Sequence, residues 1–204
     1  LMECPVFFAM AVLWWMSDYA VEAAPLALFL MFELHYFQRS FIFPMLMRGN
    51  SKMPIGIVLM GVVFNTLNAV MQGGWIFYLS PEGYYADWFS RPFIYIGAVV
   101  FFAGMFINWQ ADYIIRHLRK EGDTRHYIPR GGMFRYVSSA NYFGELVEWT
   151  GFAIASLIQF NLGFFQLLHF FNNINIIFKF VVSLLNIINK FLHLKQWSPH
   201  LDTE

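Results

Sequence analysis

The chain has 204 residues, of which 58% are hydrophobic, 21% aromatic and only 13% charged, and its formal net charge is zero. A soluble domain carries about 25% charged residues to solvate its surface, so this composition excludes a wholly water-facing globule. The neutral balance offers no footing for nucleic acid, and the single cysteine, Cys4, excludes an internal disulfide.

A helix needs about 20 apolar residues to cross roughly 30 Å of hydrocarbon, and six stretches are apolar enough to be read as spans. Leu1 stands where an initiator methionine would, which predicts a piece of a longer chain. The first stretch, Pro5 to Met16, is short and reads as the end of a truncated span. No basic segment precedes it, so no signal peptide is expected. The second runs from Glu22 to Leu46, the third from Pro54 to Leu79 and the fourth from Pro92 to Trp109. The fifth extends from about Asn141 to Leu168, and the sixth from about Ile174 to Leu194. Strand alternation is absent, so the fold class is all-α, a polytopic transmembrane helix bundle.

Basic residues orient these spans. Arg39, Arg48 and Lys52 lie near or in the second connection. Arg116, Arg119, Lys120, Arg125, Arg130 and Arg135 fill the fourth, whereas the intervening loops carry Asp18, Glu22, Glu82, Asp87 and a lone Arg91. The alternation predicts that the basic loops are cytosolic. From about residue 157 the composition changes. Arginine disappears, and Asn161, Asn172, Asn173, Asn175, Asn186 and Asn189 punctuate an Ile-, Phe- and Leu-rich run. Two domains follow from this: a membrane domain over 1–156 and a divergent hydrophobic tail over 157–204, itself membrane-inserted.

Polar residues inside the apolar stretches are the sites to weigh. Asn108, Asp112, Arg116 and Arg119 are spaced by four, four and three, which puts them on one helical face as the fourth span ends. They suit an anionic phosphate ligand; a solvated juxtamembrane ion pair is the other reading. Asn141, Glu145 and Glu148 share a face at the start of the fifth span. Carboxylates there need a polar cavity or paired groups, unless the first turns lie outside lipid and Glu simply suits a helix N-terminus. In the run Tyr127-Ile128-Pro129-Arg130-Gly131-Gly132, the paired glycines allow close backbone approach to a ligand, or make an ordinary turn. Late in the second span stand Glu33, His35, Tyr36 and Arg39, with Glu3 near the chain start. A carboxyl beside a tyrosine there could polarise a carbonyl, while Tyr36 and Arg39 could equally be an interfacial belt. The histidines are scattered and no CxxC occurs, so no metal site is expected.

In order and density, several segments resemble the steroid 5-alpha-reductase family. They are His35-Tyr36-Phe37-Gln38-Arg39, Phe43-Pro44-Met45-Leu46-Met47-Arg48-Gly49, Gly104-Met105-Phe106-Ile107-Asn108 with Asp112-Tyr113-Ile114, Leu118-Arg119-Lys120-Glu121-Gly122-Asp123, Ile128-Pro129-Arg130-Gly131-Gly132-Met133-Phe134, and Ala140-Asn141-Tyr142-Phe143-Gly144-Glu145 with Glu148-Trp149. The resemblance covers about residues 1–156. It implies a seven-helix fold in the endoplasmic reticulum membrane and NADPH-dependent reduction of the 4,5 double bond of 3-oxo-4-ene steroids. It implies that Glu3 and Tyr36 are catalytic, hydrogen-bonding the steroid 3-carbonyl, and that Asn108, Asp112, Arg116, Arg119, Asn141 and Glu145 contact the dinucleotide. The expected partners are a lipophilic steroid-like substrate and membrane lipid, with no nucleic acid and no obligate protein partner. His126 replaces a family tyrosine, and the family's C-terminal basic and aromatic residues find no match in the tail. The alternatives are a related enoyl or polyprenol reductase and a catalytically inactive member that binds lipid or steroid.

Overall fold

The computed structural model describes residues 3–47, 54–118 and 127–156. Every regular element among them is helical. The sixth predicted span, the tail and Arg119 lie outside the described residues, as does His126. The rest divides into two compact units, one holding the described residues up to Ile96 together with 154–156, the other Gly97–Ala153.

The first unit opens with α1, Cys4–Trp15, whose first turn contains Pro5. Proline lacks the N–H that an initial helical turn would leave unbonded and already holds a helical φ. The helix α2, Ala23–Phe37, continues without a break through a wide turn over Gln38–Ile42 into α3, Phe43–Leu46. The wide turn is marked by the Phe43 N–H donating to the Gln38 carbonyl five residues back. The resulting run, Ala23 to Leu46, coincides with the second predicted span.

The next helix, α4, covers Ile55–Gly74 and ends in a second wide turn, Trp75–Leu79, closed by Ser80 N donating to Trp75 O at 3.1 Å. α1 packs against both α2 and α4. Small residues on α4 let α1 come close. Ala69 is buried, and a Cβ at Gly73 would sit 2.8 Å from both Leu13 Cδ1 and Met10 Sδ. Trp14 stacks on Phe29 at 4.8 Å between ring centroids, and Phe29 meets Phe77 edge-on at 6.2 Å. Hydroxyls then fasten the ends of these helices. Ser17 Oγ donates to Phe77 O at 3.3 Å and accepts from Tyr19 N at 3.0 Å, while Tyr78 OH donates to Leu13 O at 2.9 Å. In the loop after α4, Trp88 Nε1 donates to Ala155 O at 3.1 Å and Tyr84 OH to Ser156 O at 3.3 Å. These two bonds tie that loop to the backbone of the later segment 154–156.

The second unit is built on those parts of α5, Pro92–Arg116, and α6, Ala140–Ser156, that lie within Gly97–Ala153. α5 runs seven residues past Trp109, where the sequence reading ended its span, so Asp112 and Arg116 stand on the same unbroken helix as Asn108. The reason is propensity: Gln110, Ala111 and Ile114 to Arg116 continue a helix readily once it has begun. The two helices touch backbone to backbone. A Cβ on Gly104 would fall against Glu148 N and 2.6 Å from Glu148 Cα. One on Gly144 would fall against Asn108 N and 2.8 Å from Asn108 Cα, and one on Gly151 would meet Phe101 N, with Gly97 O at 2.6 Å. The contacts run in opposite senses along the two helices, so the pair is antiparallel. Small residues that admit this approach are the usual means of helix association where lipid removes the hydrophobic drive.

Two helical segments, Ile55–Leu79 and Pro92–Arg116, each of 25 residues, are long and apolar enough to cross a membrane. Only 6% of the most apolar stretch of the first is buried within the protein. Ile55, Leu59, Met60, Val63, Leu67 and Val70 all lie at least half exposed along it. A continuous apolar face of that kind suits lipid rather than water.

Candidate functional site

Polar side chains collect at one place in each unit. In the first they follow from the end of α2. Tyr36, buried to 3% exposure, accepts a hydrogen bond at 3.0 Å from Asn68 Nδ2 on α4. Its ring packs against Phe32 at 4.7 Å and against His35 at 4.9 Å. These aromatic neighbours fix the ring, and the amide fixes the oxygen. An N–H donated to a phenol oxygen polarises the phenol and strengthens its own O–H as a donor.

The wide turn that follows carries Arg39 to Glu3, at the N-terminal end of α1. Arg39 Nε lies 3.5 Å from Glu3 Oε2, and its guanidinium sits 4.5 Å above the Phe43 ring. Cys4 Sγ also donates weakly to Ser40 O at 3.7 Å. Glu3 Oε2 is buried and, despite its ion pair, makes no hydrogen bond of good geometry among the described residues. Arg39 is therefore a partner of Glu3 and not an interfacial anchor. Tyr36 is likewise too buried to belong to an interfacial belt.

In the second unit the site begins where the glycine contacts end. Asn108, Asp112, Glu145 and Glu148 are all at 3% exposure or less. Asn108 Nδ2 donates to Asn141 O at 2.9 Å and reaches Glu145 Oε1 at 3.5 Å. Three of the residues singled out in the sequence are thus joined through one amide, and the same-face readings of both helices meet in one cluster. Glu148 lies buried opposite Gly104, whose missing side chain makes room for its backbone. Asp112 is buried as well, so the reading of a solvated Asp112–Arg116 pair fails. What Arg116 Nε meets is the Asp112 backbone carbonyl, at 3.3 Å. Gly131 and Gly132 both have positive φ, at 94° and 49°, a region that glycine enters without steric penalty. Arg130 and Arg135 beside them are exposed.

Two features were missed from the sequence. Asn68 sits in an apolar stretch with nothing nearby in sequence to mark it, and only the fold brings it to Tyr36. The close packing of α5 and α6 was legible in principle, because Gly97 and Gly104, and Gly144 and Gly151, are each seven residues apart. Among the described residues no group of three or more histidine, cysteine or acidic side chains is arranged to hold a metal ion.

Buried acids and amides thus gather in two clusters of a helical protein, two of whose helices are long and apolar enough to cross a membrane. The model of the family 3-oxo-5-alpha-steroid 4-dehydrogenase matches residues 51–190. The 3-oxo-5-alpha-steroid 4-dehydrogenase 1 of Bos taurus is 48% identical over 127 residues, covering 62% of this chain and 48% of the relative. The corresponding type 1 protein of Homo sapiens is 46% identical over 147 residues, covering 68% of this chain and 56% of the relative. A steroid 5-alpha-reductase of Arabidopsis thaliana is 35% identical over 170 residues, covering 80% and 64%. The chain belongs to the 3-oxo-5-alpha-steroid 4-dehydrogenase family. It spans about half the length of the mammalian relatives it matches. The family match runs to residue 190 and so enters the segment after 156, where the sequence reading had ended the resemblance.

Proposed function

We propose that this chain carries out the steroid 4-ene reduction named in its relatives, using NADPH to saturate the 4,5 double bond of a 3-oxo-4-ene steroid. The single observation that carries the reading is the buried, doubly held Tyr36 phenol in a protein of this family. The residues of the second cluster fit a dinucleotide on chemical grounds. Asn108, Asn141, Asp112 and Glu145 offer the amide and carboxylate groups that a carboxamide and ribose hydroxyls require. The guanidiniums of Arg116 and Arg119 suit phosphate. When bound, the dinucleotide supplies hydride.

The chain's own part is electrostatic. The alkene takes up hydride at one carbon and a proton at its neighbour, and between the two events negative charge rests on the carbonyl oxygen at C3. Tyr36 donates a hydrogen bond to that oxygen. The Glu3 carboxyl is the second group offered to that oxygen, and it would donate there only as a carboxylic acid. Preorganised donors aimed at developing charge lower the barrier more than they strengthen ground-state binding. Asn68 holds the phenol in place, and Arg39 holds the Glu3 carboxyl from its other side. A neutral steroid reaches the site through the lipid that surrounds the apolar helices.

We place the protein in the endoplasmic reticulum membrane as a multi-pass chain, with residues 116–135 cytosolic and the loop 80–91 lumenal. The positive-inside bias supports this arrangement. Labelling of Ser80→Cys from the cytosolic side alone would reverse it. The composition of residues 157–204 favours one second reading, an inactive member that binds lipid or steroid. Membranes expressing the whole chain, supplied with NADPH and a 3-oxo-4-ene steroid, separate the two. Formation of the 5-alpha product, reduced about 10- to 1000-fold by Tyr36→Phe, supports the enzyme. Steroid binding with no turnover and no micromolar NADPH binding supports the inactive relative.

A further inference from the structure

One buried ionisable group takes no part in the mechanism above. Glu33 lies in α2 at 7% exposure, and both of its carboxyl oxygens are buried without a hydrogen-bond partner among the described residues. Phe29, one turn before it on the same face, is buried too, as is the adjacent Phe32. A carboxyl placed in such surroundings loses its water and gains nothing in return, a loss that an apolar side chain of similar size would avoid. Its position is specific. Glu33 precedes Tyr36 by three residues and Ser40 by seven, which sets all three on one side of the helical run. Ser40, at 3% exposure, also has a buried hydroxyl oxygen with no partner among the described residues. The phenol is therefore flanked along one face by two polar groups that find no hydrogen-bond partner among the described residues.

We propose that Glu33 is a specificity-determining residue that receives a hydroxyl group carried by the substrate. The inference rests on the reading that Tyr36 holds the substrate carbonyl. The hydroxyl would then lie about one helical pitch, roughly 5 Å, from that carbonyl oxygen. This places it on or near the first two rings of a steroid, away from the far end of the molecule. A hydroxyl is the chemistry that fits. It can donate to either carboxyl oxygen, and it leaves the ligand neutral enough to arrive through lipid. The site selects by the asymmetry of hydrogen bonding: a ligand lacking the hydroxyl leaves the buried carboxyl unbonded, whereas the matching ligand relieves it.

The test uses the full chain in lipid nanodiscs and pairs of 3-oxo-4-ene steroids that differ only by one hydroxyl at successive positions on the first two rings. Both kcat/KM with NADPH and Kd for radiolabelled steroid are measured. For at least one pair the parent chain should favour the hydroxylated member by about tenfold, the worth of one hydrogen bond. Glu33→Met should erase that preference, and Glu33→Gln should keep most of it. Without ligand, Glu33→Met should unfold at a higher temperature than the parent. A preference ratio unchanged by Glu33→Met at every position overturns the proposal. So does a ligand-free Glu33→Met chain that is less stable, because the carboxyl would then be structural. Absence of turnover with every steroid counts against the reading of Tyr36, while the Kd ratios still decide the role of Glu33.

Discussion

The two polar clusters are held in opposite ways. Around Asn108 the helices α5 and α6 meet through glycine, and one amide bridges Asn141 and Glu145. Around Tyr36 the work is done by long side chains reaching between elements, Asn68 to Tyr36 and Arg39 to Glu3. That second cluster leaves carboxyl oxygens of Glu3 and Glu33 buried and without hydrogen bonds among the described residues. The contrast teaches that where backbones touch, one short amide can bridge the polar groups directly. A cluster held by side chains keeps unmet hydrogen-bonding capacity, which a ligand can use.

The strongest way to break this comparison is to put a side chain into the glycine contact. Gly104→Ala or Gly151→Ala drives a methyl group into backbone, which cannot yield as a flexible side chain does. Each should destabilise by about 3 kcal/mol or more in thermal unfolding, beyond the usual overpacking cost. A change of less than about 1 kcal/mol would show that the helices can part there without penalty. Next in size is Asn108→Leu, which removes the bridge and leaves Asn141 O and Glu145 short of a donor. About 2 kcal/mol of stability should go, together with NADPH affinity, read by equilibrium binding.

Asn68→Leu sharpens the other side of the comparison. It should lower kcat by about tenfold through a mis-set phenol, with little change in KM. In a Tyr36→Phe background it should have no further effect, and an equal loss in both backgrounds would assign Asn68 to folding alone. The smallest effect belongs to Gly56→Ala. A Cβ there meets nothing within 4 Å, so the substitution should stabilise α4 by roughly 0.5 to 1 kcal/mol. Any loss of stability would show that α4 has a close neighbour at that end.

What the sequence made legible follows the same divide. Helix positions could be read because apolar length and proline mark them. The run Ala23–Leu46 and the start of α5 at Pro92 fell where expected. The face shared by Asn108 and Asp112, and that shared by Asn141 and Glu145, could be read because helical spacing within one segment determines them. Pairings across segments could not. Nothing local ties Asn68 to Tyr36 or Arg39 to Glu3, since each bond depends on how helices distant in sequence pack. The wide turn at Gln38–Ile42 was also invisible, because π geometry answers to tertiary demands rather than to a residue signature. Arg39, which the wide turn brings to Glu3, could have been read as an anchor for that reason alone.

The glycine spacing on α5 and α6 carries one more consequence. Gly97 and Gly104 repeat every seven residues, and so do Gly144 and Gly151. Two rulers with the same graduation fit together at more than one offset. Sliding one helix by a heptad, about 10 Å, would still seat a glycine of one in a gap of the other. The seam therefore sets how close the helices come, but not which marks coincide. Asn108 removes the ambiguity. Only at the observed offset does its amide find Asn141 O and Glu145, and at any other it would be buried with neither. A residue implied as a cofactor contact thus also serves as the index mark by which the two helices find their alignment.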